Sequence, residues 1–563
     1  MPAPRSIGLA SLLLVAVFAL GWNLGGFHLL DPDEGRNAEV AREMALSHDY
    51  VVPHLDGLPY LDKPIVYFAA AAGVMELLGP TELAARLPAY LASLCTIVLL
   101  AWFARRRFGE TAGWLAALAY ATMPLTLGYS RVAVFDSTLT LCTTAAIIAW
   151  FEGAPVLAWI ALAVGALCKG PVALGIAFAA IIPFAMVRRE PARRFVSLAA
   201  LLAFAVVGLP WFFAVTHRFP EFPSYAFVTE TFQRFTTPAF HRTQPFWFYI
   251  PVLFLGAFPW IVPAGAALRH WRTWWRERRE PAARDAVLLV SWVVGPFVLL
   301  TLNHSKLPQY VLPLCPAIAL GAARVLSQAP RAAALTYAAI ALTLGIVLLT
   351  LAAWGTSLLH VTPDERAAIP FTALALGTAL LGSAACVLFA ARRNTVALAA
   401  LGYSSVVISL PFTSSALMRA VGDDRSAAGL AAVVKPALAR DSVEVLGVAA
   451  YPPSLPFYLR RPMAVATPSA SELTSTYIAH FQDRYRAVAN SPLRPAEFWR
   501  ERLAACDPRT VFIISRDDRD AATALSGLPF LGADQHHAAF GPCGSGPEAR
   551  PTISTAGHKG LSG

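Results

Sequence analysis

Asp33 and Glu34 open a run, Asp31-Pro-Asp-Glu-Gly-Arg-Asn-Ala-Glu-Val-Ala-Arg-Glu-Met44, that begins directly after a long apolar segment. Charge beside a membrane costs free energy unless it is solvated, paired or used. Two carboxylates placed ahead of a helical segment suit helix capping and reactive chemistry equally well. Glu39, Arg42 and Glu43 follow Arg36 at helical spacing. That alternation of charge predicts a solvated interfacial helix with i,i+4 pairs. In Pro59-Tyr-Leu-Asp62-Lys63-Pro64 the lysine precedes a proline, which holds its backbone extended. An ammonium fixed there suits a phosphate ligand, and the alternative is ordinary snorkelling. Asp136 ends an apolar segment behind Ser130-Arg131, so it faces a cavity or pairs with Arg131. Lys169-Gly-Pro171 closes another such segment. The stretch 216–244 holds His217, Arg218, Glu230, Arg234, His241 and Arg242. A histidine with one or two acidic residues can hold a divalent metal, whereas a lone loop histidine is more often solvated.

The elements that must position these residues follow from composition. Of 563 residues 56% are apolar and 14% charged, against about 25% charged in soluble proteins. The chain is an integral membrane protein. Its formal charge of +10 is read as topological rather than nucleic-acid-binding, because Lys and Arg collect in cytoplasmic loops. Cys95, Cys142, Cys168, Cys315 and Cys386 fall in apolar segments and read as core residues. Cys506 and Cys543 lie in a polar region and can pair if that region is extracytoplasmic.

The segment from Ser6 to Leu30 is long enough to span a bilayer and lacks a convincing cleavage site. It reads as an uncleaved span with Arg5 on the cytoplasmic side. Further spans are expected at 82–104, 112–132, 137–152, 155–169, 171–187, 195–215, 245–267, 286–303, 307–326, 332–354, 371–390 and 395–415, about thirteen with the first. Residues 65–80 are apolar but short and read as an interfacial helix. Under this count Arg105-Arg-Arg107, the stretches 188–194, 269–284 and 324–331, and Arg392-Arg393 share one side with Arg5, the cytoplasmic one. The other side receives 31–64, Asp136, Lys169, the loop 216–244, Asn303-His-Ser-Lys-Leu-Pro-Gln-Tyr310 and everything after about 416. Convergence of those loops predicts an extracytoplasmic active site. Val443-Glu-Val-Leu-Gly-Val448 and Val511-Phe-Ile-Ile-Ser515 read as strands of a small α/β domain over 419–545, after a membrane domain over 1–418. The Gly- and Ser-rich end, 546–563, reads as a disordered tail. No internal repeat, Walker motif or dinucleotide loop is present.

The run Asp33-Glu-Gly-Arg36-Asn-Ala-Glu39-Val-Ala-Arg-Glu-Met44, with Val52-Pro-His-Leu-Asp-Gly-Leu-Pro-Tyr-Leu-Asp62-Lys63-Pro64, closely resembles the first extracytoplasmic loop of the lipid A aminoarabinose transferases. These are protein O-mannosyltransferase-like GT-C glycosyltransferases. Ala85-Arg-Leu-Pro88, Arg106-Arg-Phe-Gly109, Cys168-Lys-Gly-Pro171, Pro210-Trp211, His241-Arg-Thr-Gln-Pro-Phe-Trp-Phe-Tyr249 and Ser305-Lys-Leu-Pro-Gln-Tyr310 add to the likeness, in order, from about residue 10 to 320. The resemblance implies a GT-C bundle of about thirteen transmembrane helices in the bacterial inner membrane, with periplasmic juxtamembrane helices and a small C-terminal α/β domain. It implies that Asp33 and Asp136 are the functional carboxylates and that Lys63 contacts the carrier phosphate. Glu34, Arg36, Lys169, Arg242, Lys306 and Tyr310 are expected to bind substrate. Asp62 stands where the family usually has Glu, and with His241 it would mark a divalent metal site for Zn, Mg or Mn. Asn37 stands where an aromatic residue is common.

The implied partners are an undecaprenyl phosphate-linked sugar donor, a lipid A acceptor and membrane lipids, with no nucleic acid. The implied reaction moves aminoarabinose to lipid A at the periplasmic face. The leaving group is a phosphate and a lipid A phosphate is already ionised, so strong base catalysis is not required. Were the acceptor a hydroxyl, Asp33 would be the candidate base; the carboxylates would equally suit a cationic sugar. Two alternatives stay open. One keeps the donor class with another sugar, such as a hexosamine or mannose, or with a protein or glycan acceptor. The other is a lipid-linked sugar transporter or flippase. Charges gathered at one membrane face without a repeat favour the enzyme.

Overall fold

The computed structural model describes residues 4–233, 243–329, 331, 333–355, 359, 361–439 and 443–543. The chain forms two compact units, residues 1–55 with 59–425, and residues 56–58 with 426–563.

The first unit is helical. Its first half comprises α1 (Pro4–Gly21), α2 (Asp33–Ser47), α3 (Val66–Leu78), α4 (Glu82–Phe108), α5 (Glu110–Ala121), α6 (Pro124–Tyr129), α7 (Asp136–Glu152), α8 (Pro155–Lys169), α9 (Val172–Arg188) and α10 (Leu198–Arg218). Local chemistry sets several of these boundaries. Thr81 caps α4 by accepting from the Ala84 N–H at 3.2 Å, and Ser197 caps α10 in the same way. Arg105, Arg106 and Arg107 fill the last turn of α4, where cations suit the helix dipole. Gly109 then turns the chain at φ 95°. A Cβ at Gly113 would lie 2.9 Å from the Ala101 carbonyl oxygen, so α5 packs directly on α4.

Each of the thirteen expected spans holds at least one helix. Among the described residues seven helices are long and apolar enough to cross a membrane: 82–108, 198–218, 281–302, 308–328, 334–355, 363–393 and 396–413. An eighth results if Tyr249–Ala257 and Ile261–Arg276, bent by 110°, count as one. The others are shorter or broken, so helix length alone does not return thirteen. α2 and α3 fall in the stretch 31–80, where juxtamembrane helices are expected.

The core of this unit is large, and its buried indoles find hydrogen-bond partners within the protein, as a bilayer favours. Trp150 and Trp159 both donate their indole N–H to the Phe195 carbonyl, at 2.9 and 2.8 Å. Trp260 donates to the Thr122 hydroxyl at 2.8 Å and Trp292 to the Pro313 carbonyl at 3.1 Å.

The second unit is an α/β domain around six strands: β1 (Glu444–Val448), β2 (Ala464–Ala466), β3 (Leu493–Arg494), β4 (Thr510–Ser515), β5 (Phe530–Ala533) and β6 (His537–Phe540). Their order in the sheet is β3-β2-β1-β4-β6-β5. The first four in that order pair in parallel, and β6 and β5 add antiparallel. β1 and β4 are buried through most of their length, which explains their largely apolar sequences. Asp56 belongs to this unit and accepts from the Met463 N–H at 3.0 Å. Cys506 and Cys543 are joined by a disulfide, with Cα atoms 5.3 Å apart. The other five cysteines are free. Alkylation of denatured, unreduced protein should therefore label five thiols, and seven after reduction; seven labels before reduction would refute the pairing.

Candidate active site

One buried ion pair holds the residues around the site. Arg86, in the first turns of α4, is fully buried and uses all five of its N–H groups. Nε and Nη2 donate to the Glu34 carboxylate, each at 2.9 Å. Nη1 donates to the Leu24 and Phe27 carbonyls at 2.9 Å, and Nη2 also to that of His28 at 3.0 Å. The guanidinium carbon lies 3.8 Å from the Phe27 ring centroid. Glu34 accepts two more bonds, from the Leu30 N–H at 3.0 Å and the Ala133 N–H at 2.6 Å. All four lone-pair positions of the carboxylate are thereby taken. Glu34, expected to bind substrate, ties together the chain after α1, the start of α2, α4 and the segment entering α7.

The first unit holds a cavity of about 470 Å³. Its polar end carries Asp62, Lys63, Asp136, Lys169, Glu230 and Tyr310, and its walls include Leu139, Ile176, Phe222, Phe227, Leu299 and Leu300. Each lysine meets a carboxylate. Lys169 at the end of α8 donates to Asp136 at the start of α7 over 2.5 Å, and its ammonium stands 4.8 Å from the Tyr310 ring centroid. Lys63 pairs with Glu230 and donates to the Asp62 carbonyl at 2.8 Å. The Tyr225 hydroxyl donates to the Asp62 carboxylate. Burial, then the charges of Asp62 and Glu230, push the Tyr225 phenol well above its ordinary range, so it stays a proton donor. Arg131 does not pair with Asp136: its guanidinium donates to the Trp22 carbonyl at 2.6 Å.

Asp62, Lys63, Asp136, Lys169 and Tyr310 thus meet in one cavity, although they come from four separate parts of the sequence. Asp33 does not line it. It is partly exposed and pairs with Arg36 at 2.5 Å, and Arg36 lies 5.8 Å from the Tyr60 ring centroid. Lys306 also lies outside the lining and donates to the Asn303 carbonyl at 2.6 Å. Asn37 donates to the Ala133 carbonyl at 2.8 Å. His241 and Arg242 lie outside the described residues. Among the described residues Asp62 joins no convergent set of three metal-ligating side chains. The expected metal pair therefore has one member, His241, outside the described residues, while the Asp62 carboxylate accepts from Tyr225; no chemical step is routed through an ion.

The solvated helix expected from Glu39, Arg42 and Glu43 needs correction. Glu39 and Arg42 are buried and paired through two hydrogen bonds at 2.6 and 2.7 Å. α2 is enclosed along nearly its whole length, so its charges neutralise one another inside the protein. Sequence reasoning also left Tyr225 and Glu230 out of the site. Glu230 was visible as one polar residue among several in its loop, but Lys63 is 167 positions away.

A family model described as dolichyl-phosphate-mannose-protein mannosyltransferase matches residues 62–213, a range that contains Asp62, Lys63, Asp136 and Lys169. The undecaprenyl phosphate-alpha-4-amino-4-deoxy-L-arabinose arabinosyl transferase of Edwardsiella ictaluri is 34% identical over 303 residues, covering 52% of this chain and 54% of that protein. The second such transferase of Proteus mirabilis is 30% identical over 324 residues, covering 55% and 58%. The chain therefore spans about half the length of the curated relatives it matches. The crystal structure of ArnT from Cupriavidus metallidurans bound to undecaprenyl phosphate superposes with a TM-score of 0.80 at 24% identity, covering 96% of this chain and 99% of that one. The apo state of the same protein gives 0.79. The two proteins share a fold.

The ion pair generates a thermodynamic expectation. Glu34→Ala and Arg86→Ala should each destabilise the intact protein in detergent by about 3–5 kcal/mol, because each strands a buried charge. The double variant should cost much less than the sum of the two. A Glu34→Ala protein with unchanged thermal stability and lost donor binding would return Glu34 to the substrate site.

Proposed function

We propose that this chain is a membrane glycosyltransferase that moves 4-amino-4-deoxy-L-arabinose from undecaprenyl phosphate to a lipid A phosphate, on the periplasmic face of the inner membrane. The observation that carries the reading is the cavity's division into a charged end with two lysines and an apolar flank. A polyprenyl phosphate has the same division. The names of the similar transferases supply the sugar. Three carboxylates against two ammonium groups leave the charged end with a negative surplus, which suits a sugar that carries its own ammonium. The Cys506–Cys543 disulfide supports an oxidising compartment for the second unit.

The chemistry then needs placement more than proton transfer. An ionised oxygen of the acceptor phosphate attacks the anomeric carbon. The bond from that carbon to the carrier phosphate oxygen breaks, and the electron pair leaves with undecaprenyl phosphate. No proton moves, so no general base is needed. Lys63 takes the carrier phosphate, exchanging Glu230 for it, and stabilises the charge that grows there. Asp136 holds Lys169 beside the Tyr310 ring and so fixes the second cation. Asp33 orients Arg36 from outside the cavity lining.

Purified protein given labelled undecaprenyl phosphate-aminoarabinose and lipid A should form labelled lipid A. Lys63→Ala should lower kcat/KM by about a hundredfold or more while the thermal transition stays in place. Full transfer by Lys63→Ala would remove Lys63 from the phosphate site, and no transfer by the native protein with any polyprenyl-linked sugar would overturn the reading. Glu230→Gln takes away the carboxylate that competes for Lys63. It should tighten undecaprenyl phosphate binding about tenfold, the effect of one charged hydrogen bond, measured as displacement of labelled carrier.

A further inference from the structure

The first unit holds a second cavity, of about 430 Å³. The helix Arg284–Leu302 relates it to the first: Leu299 and Leu300 line one, and Ala286, Leu289, Val290 and Val294 line the other. Val290 and Leu299 are about 13 Å apart along that axis, so the cavities open toward opposite ends of one helix. The second is bounded by Ile261–Arg276, turned 110° from the helix before it, and by Cys315–Gln328. A methyl group at Gly265 would meet nothing within 4 Å, so the lining there faces open space.

The electrostatics of the two cavities differ in kind. In the first every lysine meets a carboxylate. The second carries Arg269, His270 and Arg324, and no Asp or Glu among the described residues lines it. Among the described residues neither Arg269 nor Arg324 forms an ion pair. Arg269 donates to His270 at 3.0 Å, and the Arg324 guanidinium rests 5.5 Å from the Phe108 ring centroid. Trp274 stands beside His270, centroids 6.5 Å apart, the type of residue that sits at headgroup level. Uncompensated cations at the mouth of an apolar slot call for an anion that carries a hydrocarbon tail.

We propose that this cavity binds one anionic glycerophospholipid from the leaflet on the basic-loop side. Its phosphate is held between Arg269 and Arg324, and one acyl chain passes over Gly265 against Val290 and Val294. The site is separate from the proposed reaction site and does not depend on that reading. Native mass spectrometry of the intact protein in detergent tests it, with phosphatidylglycerol, phosphatidylcholine and inorganic phosphate as separate probes. Phosphatidylglycerol should be retained in preference to phosphatidylcholine. The paired substitution Arg269→Ala with Arg324→Ala should reduce its retention about thirtyfold. Gly265→Phe, which fills the slot and keeps both arginines, should also displace it. Both proteins should keep the native thermal transition, which separates loss of the site from loss of the fold. Equal retention of the two lipids, retention unchanged in both variants, or inorganic phosphate competing as well as the lipid would each overturn the proposal.

Discussion

Arg86 carries five N–H groups into the buried interior of the first unit, which is arranged to receive them. Three backbone carbonyls between Leu24 and His28 and one carboxylate do so. A buried ion pair repays its desolvation only when the remaining donors and acceptors are filled, and here they are. The consequence is positional. Glu34 is one residue from Asp33, and Ala133, which donates to Glu34, is three residues from Asp136. The entry to α2 and the entry to α7 are therefore fixed against the same group. Lys169 then takes its place from Asp136, and Tyr310 lies against Lys169. One buried ion pair thus sets where the charged groups of the cavity stand.

Much of this was legible in the sequence, for reasons that can be named. Long apolar runs separated by arginine clusters report both a helix and a side of the membrane, so the loops carrying Lys63, Asp136, Lys169 and Tyr310 were expected on one face. The apolar strings at 443–448 and 511–515 could be strands because they are short and rich in β-branched residues. What stayed hidden was the environment of charge. Glu39 and Arg42 at i,i+3 read the same whether water or protein surrounds them, and only the enclosure of α2 decides. Glu34 and Arg86, 52 positions apart, carry no mutual signal in a single sequence. Glu230 has none toward Lys63 either.

The two cavities show how one helical scaffold can offer two kinds of binding. In one, cations are compensated, so an anionic ligand must displace a carboxylate before it binds. In the other, arginines face an apolar slot with no acidic residue among the described residues of the lining. Exchange suits a ligand that turns over, and standing attraction suits one that stays.

Compensation also bears on rate in the proposed reaction. A sugar attached through a phosphodiester presents one negative charge, and the carrier phosphate released from it approaches two. A lysine shared with Glu230 in the resting protein gives the donor a weak welcome, since part of its attraction is already spent. As the glycosidic bond stretches, charge accumulates on the phosphate and the same ammonium is drawn more strongly to it. Binding energy withheld from the ground state is thereby kept for the transition state, where it raises kcat rather than lowering KM. The Lys63–Glu230 pair is in this view more than a way to bury a lysine. In the proposed reaction it would reduce donor affinity in favour of rate and let the spent carrier leave when the carboxylate returns.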